Sequence, residues 1–158
     1  MLAGCGDLLS LHSLYTAQDR VFDPALEGRW LHGDTILTVE RDEDFYKLTT
    51  QSNKDPANRD VWEMRLVDIG GVRFTDILDS EGGVGHMILK VSVAGSELRM
   101  AFFDSKWLRD QVPHEEAEVS NGDHIAVLTM STPELRKLVG KYGSEPKAYD
   151  DTLLFRRP

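Results

Sequence analysis

Apolar and polar side chains alternate through most of residues 27–103, turn-forming residues separate the alternating runs, and two later stretches switch to a helical period. Together these features predict a mainly β chain: an antiparallel up-and-down barrel with a short inserted helix and a C-terminal helix. The 158 residues make one domain, long enough to bury a sizeable core. A hydrophobic share of 41% beside 28% charged residues is the balance of a globular chain rather than a disordered one.

The first segment, residues 8–26, carries Leu8, Leu9, Leu11, Leu14, Tyr15, Val21, Phe22 and Leu26. Flexible linkers are rich in Gly, Ser and charge, so this stretch is expected to be packed, either across the base or side of the domain or as a short N-terminal helix of the core. Residues 1–26 are accordingly read as a lead-in and 27–158 as the barrel domain. Thr35 to Arg41 reads as a strand ending at the acidic turn Asp42-Glu43-Asp44, and Phe45 to Gln51 follows it. Trp62, Met64 and Leu66 alternate with Glu63 and Arg65. After Gly70-Gly71, Val72 and Phe74 alternate with Arg73 and Thr75. Met87, Leu89, Val91 and Val93 share one side of a strand that Ala94-Gly95 turns into Leu98, Met100 and Phe102.

Asp104 or Ser105 can cap a short helix through Trp107, Leu108 and Gln111, stopped by Pro113. Asn121-Gly122 predicts a tight turn into a strand from Ile125 to Met130. Ser131 and Glu134 stand at capping-box spacing with Pro133 in the first turn. Leu135, Leu138, Val139 and Tyr142 then line one helical face, and Gly143 can end it. A last strand, Thr152 to Arg157, closes the chain.

Asp and Glu outnumber Lys and Arg 27 to 18, a formal net charge of −9 that repels a phosphate backbone and argues against nucleic-acid partners. No run approaches the roughly 18–20 apolar residues of a membrane span. Cys5 is the single cysteine, so no disulfide forms within the chain. Leu2-Ala3-Gly4-Cys5 resembles the lipobox of bacterial lipoproteins, in which small residues ahead of a thiol admit the signal peptidase and the cysteine carries the lipid. The resemblance implies lipid attachment at Cys5, a membrane as partner, and an address in the bacterial cell envelope. Gly6 implies outer-membrane sorting in a host with two membranes. The charged and apolar parts of such a signal are then expected upstream of Met1.

Gly28-Arg29-Trp30, at the start of the first barrel strand, resembles the G-x-W signature of lipocalins and the wider calycin barrels. Glycine permits a tight turn into the barrel, and tryptophan plugs one end while its N–H seeks a partner. In lipocalins a late arginine covers that tryptophan. Arg156 and Arg157 both stand in the matching place, and their opposite facing on a strand leaves the choice between them open. Ser10-Leu11-His12-Ser13-Leu14-Tyr15-Thr16 with Phe22-Asp23-Pro24 is also similar to the start of small bacterial lipoproteins of uncharacterised activity that carry lipocalin-like domains. That family implies a fold and an address, and no activity. No T-D-x-x-Y-like segment is present, and the helix near Trp107 is an insertion relative to a plain meander.

The remaining chemistry is sparse. His12, His32, His86, His114 and His124 are scattered, with no H-x-x-x-H pair, so no metal-ligand set is assigned. Asp76, Asp79 and Glu81 precede Gly82-Gly83-Val84-Gly85, which lacks the Lys-Ser/Thr ending of a phosphate loop. No G-x-S-x-G occurs, and neither catalytic residues nor a cofactor are assigned. Trp62, Met64, Phe74, Met87, Met100 and Phe102 share apolar strand faces and form either a packed core or the lining of an adaptable cavity. The resulting expectation is a lipid-anchored, non-catalytic module that binds a small apolar or amphipathic ligand or a neighbouring envelope protein. The alternatives are a soluble cytosolic interaction domain without lipid and an enzyme of unrecognised type.

Overall fold

The computed structural model describes residues 7–19, 21–80, 85–113, 117–119 and 125–158. Cys5, Glu81, Gly82 to Val84, His114, Asn121-Gly122 and His124 lie outside them. The strands are β1 (Asp7–Ser10), β2 (Gly28–His32), β3 (Thr35–Arg41), β4 (Tyr46–Ser52), β5 (Arg59–Ile69), β6 (Val72–Asp79), β7 (His86–Ala94), β8 (Glu97–Phe103), β9 (Ala117–Val119), β10 (Ile125–Leu128) and β11 (Tyr149–Arg156). Helix α1 (Ser105–Asp110) follows β8, and α2 (Thr132–Tyr142) precedes β11. Among the described residues no helix is long and apolar enough to cross a membrane.

Eight antiparallel strands close on themselves: β2 to β8 in sequence order, then β11 between β8 and β2. The meander follows from its turns. Ile69 pairs with Val72 across Gly70-Gly71, and these two glycines, at φ +61° and +81°, supply the left-handed backbone of a two-residue hairpin whose twist matches the strands. β11 matches the expected closing strand but begins earlier, at Tyr149, with a bulge between Tyr149 and Asp151.

One end of the barrel is sealed around Trp30. Trp30 is wholly buried and donates its indole N–H to Leu26 O at 2.8 Å. Of the two late arginines it is Arg157 that covers the ring, its Cζ 3.8 Å from the centroid. Its guanidinium also donates to Glu27 O at 2.7 Å and Ala25 O at 2.8 Å. Arg156 faces outward, 3.5 Å from Glu97. Gly28 sits at φ +113°, and a side chain there would strike the Arg157 guanidinium, so the close approach of this cation to the backbone requires glycine. Tyr46 completes the seal: its hydroxyl accepts from Asp23 N–H at 2.8 Å and donates to Asp23 O at 3.0 Å, and burial raises its pKa.

Two hydrophobic clusters result. The inner one fills the barrel with Trp30, Leu37, Leu48, Leu66, Met100, Phe155 and their neighbours. The outer one lies between the outside of β5–β8 and the added elements, with Val67, Phe74, Ile88 and Phe103 meeting Leu8, Leu14, Leu128, Leu135 and Val139. Leu66 therefore faces in and Val67 out, and Phe102 in and Phe103 out: this part of the sheet is buried on both sides. Helix α1 is capped by Asp104, whose carboxylate accepts from Trp107 N–H at 2.9 Å. In α2, Glu134 reaches back to the Ser131 N–H at 3.4 Å and hydroxyl at 3.2 Å.

Among the described residues the lead-in takes the side-packed course, with a single 3-10 turn at Pro24–Leu26 as its only helical piece, and its apolar residues complete sheet edges. β1 pairs in parallel with β10 and joins β7 at Met87 and His86, on the side where β8 reaches only to Leu89. Val21 bridges to Leu66 where β4 has ended, and Leu26 enters the inner cluster. Trp30→Ala is expected to destabilise the domain by about 3–5 kcal/mol in denaturant unfolding. Arg157→Ala should cost less, about 1–3 kcal/mol, because the indole stays buried.

Candidate functional site

The barrel wall parts at one place. β6 and β7 pair from Ile77–Met87 to Phe74–Lys90 and no farther. Beyond that point β6 runs on to Val72 beside β5, and β7 runs on to Ala94 beside β8. The β5–β6 hairpin tip follows α2 instead. Ile69 packs so closely on Gly140 that a β-carbon there would lie 3.0 Å from Ile69 Cγ2, and Val72 packs against the same outer cluster. Among the described residues, Val91 to Ala94 have no strand partner on the β6 side.

The gap holds a cleft of about 420 Å³, within the range of small-molecule sites. Its apolar side is formed by Leu26, Val91 and Val93, the first two members of the inner cluster. Its polar side carries Asp23, Asp68, Arg73 and Lys90. Arg73 is held by Asp23 at 2.6 Å and Asp68 at 3.4 Å, while its Nε is buried with no hydrogen-bond partner among the described residues. Two carboxylates and two cations leave the cleft without net charge, so it suits an amphipathic occupant better than a bare ion.

The lumen is different. Leu37, Leu48, Met64, Leu98 and Met100 surround, with Leu26 and Val91, a void of only about 10 Å³. An eight-stranded barrel is just wide enough for its own side chains to fill. Met64, Met87, Met100 and Phe102 point into this filled interior, with Trp62 partly buried against it. Phe74 is the exception among the expected lining residues: it lies in the outer cluster, its ring 6.2 Å from that of Phe103. Both faces of β6 are buried, so apolar character at 72 and 74 does not tell inside from outside; the inward place belongs to Arg73. Leu26, Val91 and the β6–β7 gap were not readable as a site, because a gap is a failure of pairing that no residue type announces.

The second polar centre fastens the lead-in. Asp76 is 2% exposed; it accepts Leu14 N–H at 2.7 Å and the His86 Nδ1 proton at 2.7 Å. Tyr15 stands edge-on to His86, and Arg65 lies 4.4 Å above the Tyr15 ring. Asp76 and Asp79 are three apart on a strand and face opposite sides, so they form no carboxylate pair. His12 and His32 each donate from Nδ1 to a backbone carbonyl, Met130 O at 3.0 Å and Leu154 O at 2.9 Å. Among the described residues no three His, Cys, Asp or Glu converge on a metal position.

Asp76→Ala removes both acceptors at once and is expected to cost about 1–3 kcal/mol for each donor left unsatisfied. Amide exchange at Leu14 should accelerate ahead of the barrel strands. Compared with known protein families, with curated proteins and with solved structures, the chain finds no match.

Proposed function

We propose that this chain is a non-catalytic binding module of the bacterial cell envelope, with a lipocalin-like barrel anchored by lipid on Cys5, and on the outer membrane where the host has one. Its site is the cleft in the wall rather than the lumen. The observation that carries this reading is the contrast between a cleft of about 420 Å³ and an interior void of about 10 Å³. The lipocalin-like assignment rests on the union of Gly28, Trp30 and Arg157, on the up-and-down order of the strands, and on the helix before the last of them.

The chemistry favours a small amphipathic ligand. An apolar tail would lie on Leu26, Val91 and Val93, and a neutral or zwitterionic head would sit among Arg73, Lys90, Asp23 and Asp68. Tail atoms would have the interior methionines Met64 and Met100 beyond Val91, and unbranched thioether chains repack readily. The edge of Val91 to Ala94, without a strand partner among the described residues, favours a second reading, in which an extended segment of a neighbouring envelope protein adds to β7.

Two measurements test these readings. A lipophilic extract passed over the delipidated protein should leave a bound compound detectable by native mass spectrometry, and Val93→Trp, which fills the cleft, should abolish its retention. Retention unchanged by Val93→Trp would move the site elsewhere. A crosslink from residue 92 to a second protein, with no compound retained, would favour strand addition. For the anchor, palmitate labelling of a membrane-bound product expressed in a bacterial host is expected to vanish in Cys5→Ser with the domain still folded. A wild-type product found wholly in the soluble cytosol would refute it.

A further inference from the structure

The strands that meet at the barrel seam carry an outer face unlike the rest of the wall. The outer hydrophobic layer gathers over β5–β8. Around the seam, alternation decides what points outward. Trp30, Leu98, Met100 and Phe155 belong to the inner cluster, with Leu153 packed against it, so their neighbours Arg29, Leu31, Arg99, Leu154 and Arg156 face out.

Strand register brings these residues together. Arg156 stands opposite Leu31 of β2 and Glu97 of β8, Leu31 stands opposite Ile36 of β3, and Leu154 stands opposite Arg99. Ile36, Leu31 and Leu154 belong to neither hydrophobic cluster among the described residues. They form an apolar strip across adjacent strands, flanked by three arginines.

The charge of this face runs against that of the molecule. Residues 28–32, 97–101 and 152–156 hold three arginines and one carboxylate, in a chain of net charge −9. The carboxylate is Glu97, 3.2 Å from Arg99 and 3.5 Å from Arg156, and it spaces the two guanidinium groups along the wall. Their side chains remain 59% and 67% exposed, with donors left over for a further acceptor. A molecule this acidic approaches an anionic surface by a positive face or not at all.

Guanidinium groups beside aliphatic side chains match a surface that sets phosphates over hydrocarbon. Arginine takes phosphate oxygens two at a time, and the leucines would meet the apolar boundary beneath. An acidic protein would satisfy the arginines equally well, and the position of the anchor favours the bilayer. Cys5 precedes β1 by two residues, at most about 7 Å of chain, and β1 packs against β7 and β8. A lipid there would bring the membrane to the β8 side of the barrel.

We propose that the outer face of β2, β11 and β8 rests on anionic phospholipid headgroups, with Arg29, Arg99 and Arg156 binding phosphate and Leu31 and Leu154 in shallow apolar contact. The choice of a bilayer rests on the envelope reading above; the affinity for anionic lipid belongs to the face itself. Ser92, which lines the wall cleft, pairs with Arg99, so the cleft lies beside the membrane in this orientation.

The test omits the anchor, which makes its outcome independent of lipidation. Cys5→Ser leaves the chain without a thiol, and Leu154→Cys then offers a single position for an environment-sensitive fluorophore. Vesicles of phosphatidylglycerol and phosphatidylcholine in equal parts are titrated at about 10 mM salt, where charges act over roughly 30 Å. The expected result is a saturable blue shift, absent with pure phosphatidylcholine and reversed at about 1 M salt, where that range shrinks to roughly 3 Å. The same label at Lys137→Cys, on α2 over β5, should not shift. Arg29→Gln, Arg99→Gln and Arg156→Gln together should weaken co-sedimentation of the unlabelled Cys5→Ser chain with anionic vesicles about tenfold or more, with the melting temperature unchanged. Polyglutamate is the acidic polypeptide control. If it binds and the vesicles do not, the face belongs to an acidic protein and the proposal falls. It falls equally if anionic vesicles leave the Leu154→Cys label unmoved, if pure phosphatidylcholine shifts it as far, or if the triple variant binds as well as its parent.

Discussion

The first and last barrel strands share a hydrogen-bonded register of a single residue pair, Arg156 with Leu31, and the seam is held elsewhere. Arg157, just past the end of β11, lays its guanidinium on Trp30 and donates to two carbonyls of the turn that leads into β2. One planar cation thus supplies stacking area and two charge-assisted hydrogen bonds across the closure. Lysine could replace the charge and not the plane. Without this clamp the two edges would be joined only by the Arg156–Leu31 pair and by the packing of Trp30 and Phe155 in the inner cluster.

Closure also explains why the rest of the chain is arranged outside. A barrel of eight strands has no room within for more side chains, so further apolar residues must gather on its outer wall. The lead-in, Leu128 of β10 and both helices do this over β5–β8, and each fully buried leucine or phenylalanine of that layer contributes about 1.5–3 kcal/mol. The wall cleft follows from the competition. Ile69 packs on Gly140 of α2 and Val72 on the outer cluster, and the β6–β7 ladder ends short of both. The cleft in this fold is therefore a by-product of two layers sharing one sheet.

Much of the architecture could be read from residue order. The hairpins at Gly70-Gly71 and Ala94-Gly95, the cap at Asp104, the Ser131–Glu134 box and the burial of Trp30 all depend on local chemistry, and local chemistry is written in short spacings. Choices of face were harder. Leu153, Leu154 and Phe155 are consecutive apolar residues, so period two does not show that Phe155 faces inward, and with it Arg157. The same ambiguity hid the outward placement of Phe74. The bond from Asp76 to Leu14 and His86 depends on the path of the lead-in, which touches β6 only after the whole domain has assembled.

The parallel pairing of β1 with β10 joins Leu8 to Ala126, and the Trp30 clamp joins the start of the barrel to its penultimate residue. Contacts of such separation carry the full entropy of closing a long loop before they return any stability. Neither end of the chain can therefore lock while the other is still being made. During synthesis the early strands would form at most a partial meander with an unclosed seam, and the native state would arrive late and cooperatively.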